Sequence, residues 1–148
     1  MSFPILREAF AEHSIQVAAI ALDAQHAIEL AGNLLVASGR ADPDYVDQMV
    51  GVLGELGPYF VLAPGIAIAH AKASSSVFAT GLSLVTLAEP VVFGNAANDP
   101  VELVIGMCAT DHDGHLQLLQ ELAELLSDEQ LVTLMLNASD TEQILALF

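Results

Sequence analysis

Residues 57–70 read GPYFVLAPGIAIAH. Tyr59–Leu62 and Ile66–His70 are apolar runs too short for helices, and Pro64-Gly65 punctuates the stretch between them. Two further runs follow, Val77–Leu87 and Val101–Ala109, again bounded by Gly, Pro, Asn or Asp. Near-continuous apolar segments of this length mark strands covered on both faces. On either side the period becomes helical. Ser2, Phe3 and Pro4 open a short helix reaching about Glu12, and the partly alternating Ser14–Ile20 reads as a strand. Asp23 caps a helix whose stripe runs through Ala24, Ala27, Ile28, Ala31 and Leu35 to about Ser38, with Gly39 as the stop. Asp42-Pro43 opens the next, since proline has no N–H to lose at the first helical position. Its buried face is Tyr45, Met49, Val52, Leu53 and Leu56, and Gly57-Pro58 end it. From Gly114 the helical stripe is Leu116, Leu119, Ala123 and Leu126, widened by Leu118, Leu122 and Leu125. Ser127-Asp128 starts another helix through Leu136, and Ser139-Asp140 caps a last one ending at Phe148. Helices before and after a central set of strands predict a layered α/β domain.

The chain has 148 residues, 54% of them hydrophobic, with 19 acidic side chains against 3 basic ones and a formal charge of −16. That length fits one domain, residues 1–148, with a core large enough to fold without disulfides or metals. High hydrophobicity with few charges excludes disorder. Nucleic acid needs lysines and arginines to displace counterions, and Arg7, Arg40 and Lys72 are all there are. Anionic membrane surfaces repel such a chain, whereas a basic protein partner is permitted. No apolar run approaches the ~18–20 residues of a membrane span. Arg7, Glu8 and Glu12 stand where a signal peptide needs an apolar segment. The single cysteine, Cys108, has no internal partner, which fits a reducing cytoplasm. A cytoplasmic protein is expected, with no cofactor.

Five histidines are present: His13, His26, His70, His112 and His115. His13 and His26 fall among polar neighbours on predicted helix ends or faces and read as surface residues. His70 ends an apolar strand after a turn, where α/β sheets present functional groups. The segment Asp111-His112-Asp113-Gly114-His115 lies between a strand and a helix. Either aspartate can cap that helix, which puts His115 in its first turn beside free N–H groups receptive to an anion. A metal reading uses His112 and His115, but no cysteine pair or His-Glu-x-x-His spacing supplies further ligands. No glycine-rich nucleotide loop and no Gly-x-Ser-x-Gly elbow occur. Cys108, inside an apolar strand, reads as core, since a reactive thiolate needs an electropositive setting.

The stretch Gly57–His70 resembles the active-site segment of enzyme IIA components of the bacterial sugar phosphotransferase system, of the mannitol/fructose superfamily and its ascorbate-type branch. The resemblance continues through Thr80–Pro90, Asn98–Gly106 and Asp111–His115, and covers essentially the whole chain. It implies a three-layer α/β sandwich with a central, mostly parallel or mixed sheet between helices. It further implies a phosphocarrier that takes a phosphoryl group from the protein HPr and passes it to a cysteine of an enzyme IIB, with a membrane transporter subunit as an indirect partner. Carried over, His70 is the phosphorylated nucleophile, a candidate for the tele nitrogen, and His115 the supporting histidine. A non-catalytic regulatory module of the same fold is the alternative. The chain departs from the family pattern at Ala69, where proline is common, and at Ala71-Lys72-Ala73, where a proline-containing segment and an arginine are common. The arginine that mannitol-type relatives carry before this segment has no counterpart between Val50 and Gly57. Lys72 keeps a positive charge without the bidentate fork of arginine.

Overall fold

A computed structural model describes residues 3–148; Ser2, expected at the entry of the first helix, lies outside them. In chain order the elements are α1 (Pro4–Ala9), β1 (Phe10–Ala19), α2 (Ala24–Ala37), α3 (Pro43–Leu56), β2 (Val61–Ala63), β3 (Ile66–His70), β4 (Gly81–Val91), β5 (Val101–Cys108), α4 (His112–Leu126), α5 (Glu129–Leu136) and α6 (Thr141–Leu145). The five strands form one mixed sheet in the order β1-β4-β5-β3-β2. Strand β1 runs parallel to β4, and β3 parallel to β5, whereas the β4–β5 and β2–β3 pairs are antiparallel.

Side-chain alternation along the strands splits the core in two. In β5, Leu103, Ile105 and Met107 join Ile66 and Ile68 against Leu118, Leu122 and Leu125 of α4, together with Phe3, Leu6, Met135 and Ile144. Val104 and Cys108 point the other way, with Ala67, Ala69 and Val85, onto Ala27, Ile28, Ala31 and Leu35 of α2 and Tyr45 and Met49 of α3. The result is the expected sandwich of helices on both faces of a mixed sheet. One close approach depends on glycine. A Cβ on Gly106 would run into Ser83 Oγ and lie 3.2 Å from Ala31 Cβ. Without it, α2 settles onto the sheet and Ser83 donates to the Ala31 carbonyl at 2.7 Å.

Aspartates begin most of the helices. Asp23, Asp42, Asp111, Asp128 and Asp140 cap α2 to α6, each accepting from a backbone N–H in the first turn. Gly57, at φ 68, closes α3 as expected.

Several boundaries differ from the sequence reading. The first helix stops at Ala9 and extended chain begins at Phe10, so His13 is an exposed strand residue instead of a helical one. Tyr59 lies in a turn before β2. Val77–Thr80 does not join the sheet: Val77 bridges Ala41, and the N–H groups of Phe78 and Ala79 donate to the Arg40 carbonyl. Strand β4 instead runs through Pro90 to Val91, and the register shifts between Thr86 and Val91, the kind of irregularity that accommodates proline in a sheet. The last helix ends at Leu145, and Phe148 stacks on Phe10 with ring centroids 4.8 Å apart.

Candidate active site

His70 is the last residue of β3 and pairs with Met107 of the parallel strand β5. It has the same parity as Ile66 and Ile68, so its ring emerges on the α4 side of the sheet. Ile66 to Ala69 are buried and His70 is half-buried, at the edge of the core. Its Nδ1 lies 2.9 Å from the Ile68 carbonyl oxygen. A carbonyl only accepts, so the neutral ring carries its proton on Nδ1 and its lone pair on Nε2. The ring packs 5.5 Å from Phe60 and 6.1 Å from Tyr59, centroid to centroid.

The first turn of α4 approaches the same strand end. Of the two candidate caps it is Asp111 that serves: its carboxylate accepts from the Gly114 N–H at 2.7 Å. A Cβ on Gly114 would stand 2.9 Å from Asp111 Oδ1 and 3.3 Å from Thr80 Oγ1, so the glycine keeps this turn tight against Thr80, the residue before β4. His115 follows, with its ring 5.5 Å from His70 at an interplanar angle of 56°. His112, which begins the helix, lies nearly parallel to His115 at 6.5 Å. Burial, then the neighbouring His70 and His112 rings, hold His115 below the ordinary imidazole range. It is therefore a neutral N–H donor at neutral pH. His70, Lys72, Tyr59, Met107, His112 and His115 share one cavity of ≈ 470 Å³. His13 and His26 do not line it, and His26 Nδ1 accepts from the Leu22 N–H at 3.0 Å.

Tyr45 was legible only as a buried helix position, yet its hydroxyl braces the site from below. It lies 3.0 Å from Ala71 N, whose N–H it accepts, and 2.7 Å from the Met107 carbonyl, to which it donates. Strand β5 and the residue after His70 are thereby tied to α3. A buried phenol needs such a partner, which is the one hint the sequence carried. Burial pushes its ionisation far upward, so the proton stays. Cys108 is core, as read: burial pushes its thiol up to about 11, and Sγ lies 3.4 Å from the Ala79 carbonyl. Among the described residues no group of three or more His, Cys, Asp or Glu converges as a metal-holding set, so His112 and His115 lack a third donor.

Residues 8–148 match the family profile of the phosphoenolpyruvate-dependent sugar phosphotransferase system, EIIA 2. The ascorbate-specific PTS system EIIA component of Escherichia coli K12 is 38% identical over 127 residues, covering 84% of this chain and 82% of its own. The chain belongs to the EIIA 2 family. Its fold agrees with other EIIA proteins of known structure. The mannitol-specific cryptic phosphotransferase enzyme IIA CmtB of Escherichia coli superposes with a TM-score of 0.85 at 34% identity, over 96% of both chains. The mannitol enzyme IIA in complex with phosphorylated enzyme IIB from the same organism matches with a TM-score of 0.82 at 28% identity, over 93% of this chain and 95% of that one. This EIIA is thus a phosphotransferase component, and among its described residues no helix is long and apolar enough to cross a membrane.

Proposed function

We propose that this EIIA is a cytoplasmic phosphocarrier that holds a phosphoryl group on Nε2 of His70, taking it from phosphorylated HPr and passing it to a cysteine of an enzyme IIB. The transported sugar is ascorbate or a close relative, in line with the ascorbate-specific Escherichia coli relative. The observation that carries the reading is the state of the His70 ring: Nδ1 engaged by the Ile68 carbonyl, Nε2 free to attack, and His115 at 5.5 Å.

The Nε2 lone pair attacks phosphorus as the donor's N–P bond breaks, and that bonding pair returns to the donor imidazole. In the onward step the cysteine thiolate attacks phosphorus, the P–Nε2 bond breaks, and its electron pair returns to His70. The transferring group spreads charge over its equatorial oxygens, so the protein acts by positioning and by donating hydrogen bonds. His115 supplies one such bond, and the Ile68 carbonyl steadies the charge that develops on the His70 ring through Nδ1–H.

Phosphorylated HPr bearing labelled phosphate tests the reading. Wild-type protein is labelled and hands the label to enzyme IIB, whereas His70→Ala takes up none. His115→Ala labels about 10–100-fold more slowly, the loss expected for one hydrogen bond to a charged group. Full labelling of the His70 variant overturns the assignment.

A further inference from the structure

Three basic side chains serve the entire protein, and their positions divide sharply. Arg40 is engaged by main chain: its guanidinium donates to the carbonyls of Ala9, Thr80 and Glu8, joining the end of α1 to the start of β4. Gly81 leaves room for that side chain, since a Cβ there would collide with it. Arg7 stands exposed in the last turn of α1 and does not line the His70 cavity. Lys72 alone of the three lines that cavity, two residues beyond His70. Its backbone is well anchored, because the adjacent Ala71 N–H is held by the buried Tyr45 hydroxyl.

A phosphoryl group on His70 brings a dianion onto a chain of formal charge −16, with Asp111 on the same cavity wall. Before transfer, burial and its two imidazole neighbours disfavour the charged form of His115, so it offers a hydrogen bond without a standing charge. A lysine ammonium supplies both, on a four-carbon stem long enough to reach across a pocket of this size. We propose that Lys72 is a catalytic residue of the transfer, its ammonium hydrogen-bonding an equatorial oxygen of the phosphoryl group carried by His70. The role rests on His70 being the phosphoryl acceptor. Lys72 thus neutralises charge at a cavity that, among the described residues, neither Arg7 nor Arg40 lines.

The test uses phosphoramidate, a donor that needs no partner protein: its P–N bond breaks as the P–Nε2 bond forms, and its protonated nitrogen leaves as ammonia. Lys72→Gln is expected to label His70 about 10–100-fold more slowly than wild type. Lys72→Arg retains a rate close to wild type, and Arg7→Gln, which removes the same charge away from the cavity, changes nothing. In ³¹P spectra of the phosphorylated proteins, the phosphoryl group of Lys72→Gln titrates at higher pH than that of wild type, a shift that a purely structural role would not cause. Equal labelling of Lys72→Gln and wild type overturns the proposal, as does equal slowing by Arg7→Gln, which would show an effect of net charge alone. Failure of wild-type His70 to label from either phosphoramidate or phosphorylated HPr overturns the acceptor role and this proposal together.

Discussion

His115 shows how one residue's surroundings fix its chemistry. Burial and two neighbouring imidazoles disfavour its charged form, so its folded-state pKa lies below that of the unfolded chain. As pH falls, the unfolded chain therefore binds the proton first. The stability contributed by this residue is full above the unfolded value near ~6.5 and is lost as pH drops through the folded one. NMR titration should give His115 a midpoint below that of a free imidazole, and His112→Gln should raise it by removing one repelling neighbour. Tyr45 makes a different residue-scale case. Tyr45→Phe strands the Met107 carbonyl and the Ala71 N–H in a buried place, at a cost of about 1–3 kcal/mol. Denaturant melts should show that loss, and phosphorylation should slow because the backbone after His70 loosens. The supporting role of His115 was expected from the sequence, but neither its neutrality nor the part Tyr45 plays could be read from the chain. His115 was identified by its segment, but its neutrality needs His112 and His70 beside it. Tyr45 lay in an apolar stripe, and nothing local distinguishes a phenol that braces a strand from one that fills space.

At the scale of elements, the site is the meeting of a strand end and a helix start. Strand β3 delivers His70 and α4 delivers His115, and the register His70↔Met107 fixes where β5 hands the chain to that helix. The Asp111 cap then sets the first turn. Asp111→Ala should cost about 1 kcal/mol of stability through the lost cap. It should also slow phosphorylation more than Asp128→Ala, a cap removed from α5, which does not line the cavity. Melting temperatures and labelling rates of the two variants check this together. Caps and apolar periods made all the longer helices readable in advance. The misread boundaries, at Ala9/Phe10 and Val77–Thr80, fall where tertiary contacts outweigh local preference: Phe10 stacks on Phe148, and Val77 leaves the sheet to bridge Ala41.

Across the whole molecule, the acidity has two components. Five aspartates occupy the N-caps of α2 to α6, and the carboxylates of Asp99 and Glu121 accept from the backbone N–H groups of Phe93 and Gly94 and of Ile5 and Leu6. The remainder lends the surface a negative potential that steers basic partner faces toward it. Phosphoryl transfer from HPr should accordingly slow as salt rises from ~0.05 to ~0.5 M, because the screening length shrinks to a few ångströms. Labelling by phosphoramidate should respond much less over the same range, since no protein docking is involved. Equal salt responses would show the charge to be solubilising only.

The sequence by itself determined the order of helices and strands, through aspartate caps, proline and glycine stops, and apolar runs whose period is a local property. It also marked His70 and Asp111–His115, because a polar ring at a strand end and a capped helix start are local signatures. Tertiary structure alone decided that these segments meet, since that depends on β3 and β5 running parallel and ending together. It also decided that Nδ1 of His70 is occupied, that Tyr45 locks the floor of the site, and that Lys72, among the described residues, is the one lysine or arginine at its wall. The meeting of His70 with His115 and the Tyr45 brace are contacts between residues far apart in the chain, which arise only when the two cores close on the sheet. The Ile68 contact is local, but it depends on how the end of β3 is held.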